Sequence, residues 1–130
     1  MYGTMKQSEI TIAGKSVTIG YCYATEIGYK KMTGEDISTF IQEVLTCINS
    51  EPKRMPDVEK SLFLILAAMT AYYESVKKKS PVKDVDLMNT ATPEELGKAL
   101  GTILNLWTEF YNIPKGEPKD KQATEGGKKN

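Results

Sequence analysis

The stretch EITIAGKSVTIGY, residues 9–21, decides the fold class of this chain because apolar and polar residues alternate along it with a period of two. Alternation with that period places every second side chain on the same face of a strand. The shared face would carry the apolar side chains of Ile10, Ile12, Val17, Ile19 and Tyr21. The stretch therefore predicts a two-stranded hairpin with one apolar face.

The turn of this hairpin is predicted at Gly14-Lys15, since glycine in the first position of a two-residue loop favours a type II′ turn. Closing the hairpin there predicts two apolar cross-strand pairs, Ile12 with Val17 and Ile10 with Ile19. An isolated hairpin is marginal in water, so its apolar face must pack on another part of the chain.

That other part is helical. Apolar residues step by three and four along much of the remaining sequence, which is typical of amphipathic helices. Helices are predicted at about 22–32, 36–49, 57–79 and 92–112. The helix at 57–79 carries two apolar stripes, one from Val58 through Ile65 and Met69 to Val76 and one beside it, so we expect it to be the most buried.

Local signals add detail to the first and last predicted helices and to the connection before the last one. In the helix at 22–32 we expect Tyr23, Ile27 and Met32 to face inward. Residues 82–91 are predicted to be a short connection with one turn around 84–88. The sequence Thr92-Pro93-Glu94-Glu95 combines an N-cap threonine, a proline at the first helical position and a capping-box glutamate, and it predicts the start of the last helix.

The domain organisation follows from composition. Residues 114–130 contain five lysines and three acidic residues but one residue of the hydrophobic set, Ala123. Such a segment cannot bury enough apolar area to offset its ordering entropy, so it is predicted to be a disordered charged tail. The prediction is therefore one globular domain, residues 1–113, of the α+β class and predominantly helical: an N-terminal hairpin, then a bundle of about four helices.

Composition argues against enzymatic chemistry. The 130 residues contain no histidine, and 17 basic residues balance 17 acidic ones. The absence of histidine removes the commonest general base and metal ligand, and zero net charge argues against nucleic-acid and polybasic membrane binding. The N-terminus has no apolar core of a signal peptide and no stretch is long enough to span a bilayer. We therefore predict no catalytic, cofactor-binding or metal-binding residues, and a cytoplasmic protein.

Two small motifs have a structural and a functional interpretation. The acidic pairs Glu35/Asp36, Asp84/Asp86 and Glu94/Glu95 are interpreted as helix caps or first-turn charges. Gly97 and Gly101, four residues apart on the last helix, are interpreted as a site of close helix packing, with an oligomer contact as the alternative.

The aromatic residues near the ends of two helices are the candidate partner-binding residues. Tyrosine and tryptophan are favoured at interfaces because they combine a large apolar area with a polar group. The candidates are Tyr72, Tyr73, Trp107 and Tyr111. Ordinary packing in the core is the alternative interpretation.

The order of motifs resembles a known family. The hairpin ITIAGKSV (10–17), the segment TGEDI (33–37), a long apolar helix, the PEEL motif (93–96) and a charged tail together resemble the small tail assembly chaperones of long-tailed bacteriophages and prophages. The resemblance covers residues 9–112 and implies a non-enzymatic chaperone in the cytoplasm of the bacterial host. Its partner would be the helical tape-measure protein, with the tail-tube protein as a second candidate. The resemblance assigns no binding residues.

Other functions stay open at this point. One alternative is an intracellular helical interaction or regulatory module without a phage role, which includes a homo-oligomer. A nucleic-acid-binding regulator and a small enzyme are further alternatives, disfavoured by neutral charge and by the lack of an acid–base pair.

Overall fold

The computed structural model describes residues 4–113, which form a two-stranded antiparallel hairpin followed by five helices. The strands are β1 (Lys6–Ile12) and β2 (Lys15–Tyr21). The helices are α1 (Tyr23–Thr33), α2 (Ile37–Ile48), α3 (Val58–Ser75), α4 (Asp84–Thr90) and α5 (Pro93–Phe110). The predicted fold class is confirmed, whereas the predicted tail, residues 114–130, lies outside the described residues.

The register of the hairpin differs from the prediction by two residues. The loop is Ala13-Gly14, so that Ile10 lies opposite Val17 and Ile12 opposite Lys15. Both loop residues have positive φ angles, 52° and 76°, as in a type I′ turn, whose twist suits the flanking strands. A shift of two keeps every side chain on its predicted face, and all five apolar side chains are buried.

A long-range contact selects this loop. The carboxylate of Glu95, on α5, accepts hydrogen bonds from the backbone N–H groups of Ala13 at 2.9 Å and Gly14 at 3.1 Å. The type I′ turn thereby gives both loop amides a partner 81 and 82 residues away along the chain. The local sequence around residue 14 contains no trace of that partner, which explains the wrong register.

Helix α3 lies at the centre of the fold, as predicted. It packs against β2, α1, α4 and α5, and Ile65 and Met69 are fully buried. The helix ends at Ser75 and not at Lys79, because Lys77 adopts a positive φ of 57°. The first and last residues of the predicted stripe, Val58 and Val76, are exposed.

Helix α1 is rotated relative to the prediction. Its buried residues are Thr25 and Tyr29, whereas Tyr23, Ile27 and Met32, which were expected to face inward, are exposed. Thr25 fixes this orientation because its hydroxyl donates to the carbonyl oxygen of Gly20, at the end of β2, at 2.8 Å and accepts from the N–H of Cys22. A polar side chain is therefore buried with its hydrogen bonds made.

The last two helices contain one correction each. The predicted single turn around 84–88 is a seven-residue helix, α4, whose Leu87 is buried. The predicted capping box at the start of α5 is confirmed, with Thr92 and Glu95 each accepting from the other's backbone N–H. The prediction of close helix packing at Gly97 and Gly101 is wrong, since a Cβ at either position would meet nothing within 4 Å.

Candidate functional site

The four candidate aromatic residues are half-buried and lie in two separate places. Tyr72 and Tyr73, at the end of α3, form an edge-to-face pair with ring centroids 4.9 Å apart and lie against the hairpin. Trp107 and Tyr111, at the end of α5, form another such pair at 6.5 Å and lie against α1. The structure therefore does not gather the four into one surface.

The pair on α3 has a structural task. The hydroxyl of Tyr73 accepts a hydrogen bond from the N–H of Thr18 at 3.1 Å, which gives a partner to a backbone group on the outer edge of β2. The Cβ of Tyr72 lies close beside Gly20 of the same strand, 3.4 Å from where a Cβ of that residue would stand. These tyrosines cover an edge strand, so they are poorer candidates for partner binding than the pair on α5.

The pair on α5 belongs to a junction of three elements around Glu26. The carboxylate of Glu26, on α1, accepts hydrogen bonds from the hydroxyls of Tyr111 and of Tyr21, the latter at 2.7 Å. Phe110 packs edge-on against Tyr111 and at 5.5 Å from Tyr21. Burial, together with the hydrogen bond to Glu26, raises the pKa of Tyr21 far above its ordinary value, so this hydroxyl stays a donor at physiological pH.

A groove of about 580 Å³ opens beside this junction. We call it the α1–α5 groove. Residues of α1, of the start of α2 and of the end of α5 line it, and the lining is mostly apolar: Ile27, Ile37, Trp107, Tyr111 and Ile113, with Glu26, Lys30, Asp36 and Ser38. Lys30 and Asp36 form an exposed ion pair of 3.0 Å at its rim.

A second groove, of about 480 Å³, lies on the other side of α1 and is called the α1–α3 groove. Small side chains of α1 and α3 form much of its surface, and Ile27, Met32 and Leu66 add larger apolar ones. Its charged residues are Lys31 on α1, Glu74 on α3 and Asp84 on α4. The two helices are in contact here, since a Cβ at Gly28 would lie 3.6 Å from that of Ala67, an ordinary van der Waals distance.

Ile27 is common to both grooves, and 56% of its surface is exposed. An isoleucine so exposed between two apolar grooves forms a ridge with apolar surface on either side of it. Sequence reasoning missed this residue because its spacing from Tyr23 resembles an inward-facing stripe. The signal that could have corrected the assignment is the pair Thr25 and Tyr29, also four residues apart, whose hydroxyls both find partners within the chain.

The remaining charged contacts hold helices together. Glu35 accepts from the hydroxyl of Tyr29 at 2.9 Å and from the ammonium group of Lys60 at 3.2 Å, which joins α1 to α3. The hydrogen bond to Glu35 raises the pKa of Lys60, and burial, with the same carboxylate, raises the pKa of Tyr29. Of the predicted acidic pairs, Asp84/Asp86 and Glu94/Glu95 lie in the first turns of α4 and α5, as expected. Glu35 is not a first-turn charge or a cap but links α1 to α3.

Residues 4–113 contain no cluster of three or more metal-ligating side chains. Within the same range no helix is both long and apolar enough to cross a membrane.

Comparisons with known proteins add no information to this geometry. No protein-family model matches this chain, and neither the curated proteins nor the solved structures include one that is significantly similar to it.

Proposed function

We propose that this protein is a non-enzymatic tail assembly chaperone of a long-tailed phage or prophage, which binds the tape-measure protein and keeps it soluble in the cytoplasm of the bacterial host. The proposal rests on the sequence resemblance and on one structural observation, the exposed Ile27 between two apolar grooves. A second role at the tail-tube protein would use the same surface.

The shape of this surface suits a helical partner. Grooves between packed helices commonly accept an amphipathic helix, whose apolar residues at positions i, i+3 or i+4 and i+7 enter them. The α1–α5 groove offers Trp107 and Tyr111, residue types that often dominate binding energy at interfaces. A tape-measure protein, long and helical as the resemblance implies, presents such a stripe repeatedly along its length.

Charges at the rims would orient the partner helix. In the α1–α3 groove Lys31 lies on one wall, whereas Glu74 and Asp84 lie on the other. A helix with acidic residues along one flank and basic residues along the other matches this arrangement. Rim charges of this kind contribute more to orientation and to association rate than to affinity.

The test is co-expression with the tape-measure protein encoded in the same gene cluster, with the soluble fraction of that protein as the readout. The wild-type chain should raise this fraction, and Ile27→Asp should abolish the gain. Val85→Asp is a matched control because Val85, on α4, is 58% exposed and lines neither groove. Both substitutions affect exposed side chains, so both variants should retain the wild-type melting temperature within about 2 °C.

The outcomes separate the alternatives. Equal solubility of the tape-measure protein with and without the wild-type chain would contradict the chaperone function. A soluble complex that Ile27→Asp and Val85→Asp weaken equally would place the interface elsewhere. A gene cluster without tail-tube and tape-measure genes would favour the alternative of a general helical interaction module.

A further inference from the structure

The two strands of the hairpin differ in how their outer edges are covered. In an antiparallel pair, alternate residues direct their backbone N–H and C=O groups away from the partner strand. On β2 two of these outward groups have partners from the helices: the N–H of Thr18 donates to Tyr73, and the carbonyl of Gly20 accepts from Thr25. Helices α3 and α1 thus cover part of the outer edge of β2.

The outer edge of β1 has no such cover among residues 4–113. In the register, three residues of β1 lie opposite the outward-directed residues of β2: Gln7 opposite Gly20, Glu9 opposite Thr18 and Thr11 opposite Ser16. Gln7, Glu9 and Thr11 therefore direct their backbone groups outward as well. Within the described chain no hydrogen bond reaches these groups from outside the hairpin. A seven-residue strand therefore presents three N–H groups and three C=O groups in a row, which is the arrangement that templates strand addition.

Helix α5 extends below this edge. Helices packed side by side are about 8–10 Å apart, whereas paired strands are about 4.8 Å apart, so two helices beneath a two-stranded sheet project beyond it. Helix α5, which packs on β1, projects in this way: a groove of about 470 Å³ runs between Glu9 and Thr11 of β1 and Glu94, Lys98 and Thr102 of α5. The groove offers an extended chain a row of backbone partners along one side and a helical surface on the other.

We propose that this groove accepts an extended segment of a partner protein as a third strand, paired with β1. This surface is distinct from the two grooves beside Ile27, and the proposal does not depend on the proposed function. A second copy of this chain fits less well, because its own α5 would have to occupy the place of α5 beneath the shared edge.

Charge defines the partner segment further. Lys98 pairs with Glu94 at 3.6 Å, whereas Glu9 has no ion-pair partner among residues 4–113. A lysine or arginine on the partner strand beside Glu9 would complete a cross-strand pair of opposite charge. The expected occupant is therefore a β-forming segment that carries a basic residue on its solvent-facing side.

The test uses the full chain and a capped synthetic heptapeptide of alternating lysine and valine, followed by backbone amide NMR. We expect saturable shifts at the amides of Gln7, Glu9 and Thr11, and slower hydrogen exchange there once the peptide is bound. The same peptide with glutamate in place of lysine should bind at least fivefold more weakly. Glu9→Lys should reverse this preference.

Proline provides a selective block. Thr11→Pro removes an outward N–H without removing a hydrogen bond to β2, and proline is tolerated at such edge positions. This variant should keep the melting temperature of Thr11→Val within about 3 °C and lose at least tenfold in affinity for the lysine peptide. Thr11→Val keeps the N–H and should bind within twofold of wild type.

Three results would overturn the proposal. The first is equal peptide affinity for Thr11→Pro and Thr11→Val, both folded. The second is slow exchange of these amides in the peptide-free monomer, which would mean that the chain itself covers its edge. The third is a concentration-dependent dimer that shows the same amide shifts without peptide, which would identify a second copy as the occupant.

Discussion

Glu95 joins the first and last elements of the fold, and its removal is the sharpest test of how the hairpin is held. The residue lies at the third position of α5, where its carboxylate accepts three backbone hydrogen bonds: from Thr92 at 3.0 Å, Ala13 at 2.9 Å and Gly14 at 3.1 Å. Glu95→Ala leaves these three N–H groups without a protein partner.

The magnitude follows from the number and exposure of these bonds. Because the site is partly exposed, water can hydrogen-bond to the three N–H groups in the variant. Each lost hydrogen bond should therefore lower the free energy of unfolding by about 0.5–1 kcal/mol, the low end of the range for protein hydrogen bonds. We therefore expect Glu95→Ala to lower the free energy of unfolding by about 2 kcal/mol. For a domain of this size the melting temperature should fall by about 8 °C.

Glu94→Ala is the matched control, one residue earlier on the same helix. Glu94 forms an exposed ion pair with Lys98 and no capping bond, so its removal should cost less than about 0.5 kcal/mol. Urea denaturation followed by circular dichroism measures both variants. Equal losses for Glu94→Ala and Glu95→Ala would refute the reasoning, because the hairpin turn would then not depend on the long-range bonds.

The pH dependence gives a second readout of the same site. Backbone hydrogen bonds from Thr92, Gly14 and Ala13 hold the pKa of Glu95 below its ordinary value. A lowered pKa in the folded state stabilises the protein above the unfolded-state pKa of about 4.3, and this contribution disappears as the pH falls through the folded-state pKa. Glu95→Gln keeps one acceptor oxygen but no charge, so the stability gap between it and wild type should be constant from pH 6 to 8 and shrink below about pH 4.

Three further predictions concern the body of the fold. Gly97→Ala should raise the free energy of unfolding by about 0.5–1 kcal/mol, since the position is helical and open. Gly34→Ala should lower it by about 1 kcal/mol, since Gly34 ends α1 with a φ of 76°. The urea midpoints of the two variants measure both effects. Ile65→Asp should cost at least about 4 kcal/mol, because it buries an unpaired charge, and a wild-type thermal transition for this variant would contradict the central position of α3. Tyr73→Phe should cost about 1 kcal/mol and speed amide exchange at Thr18, whose N–H loses its partner; unchanged exchange there would show that the edge of β2 is covered in another way.

The features that the sequence predicted correctly depend on short stretches of chain. The hairpin and its buried face follow from alternation within 9–21, and the start of α5 follows from the four residues 92–95. The capping box acts over three residues and the strand period over two. Such signals are complete within the local sequence, so no knowledge of distant residues is needed to interpret them.

The candidate site was predicted less well, because helix orientation depends on contacts between elements. Trp107 and Tyr111 were identified from residue type and do line a groove, but Tyr73 covers the edge of a strand. Ile27 was assigned to the core because its local spacing fits a buried stripe as well as an exposed one. The hydroxyl of Thr25, bound to the end of β2, decides between the two faces of α1.

The features of the whole fold divide in the same way, into those set by the local sequence and those set by tertiary contacts. By itself the sequence determined both strands, four of the five helices among residues 4–113 and which strand faces are apolar, since these properties arise from repeats of two to four residues. Only the tertiary structure decided the register of the hairpin, the rotation of α1 and the contrast between a partly covered β2 edge and an open β1 edge. The register and the β2 edge depend on Glu95 and Tyr73, which lie 55 to 82 residues from the backbone atoms that they bind and so leave no mark on the local pattern. The rotation of α1 depends on Thr25, which binds Gly20 only five residues away but in another element, so the helical period alone does not reveal it.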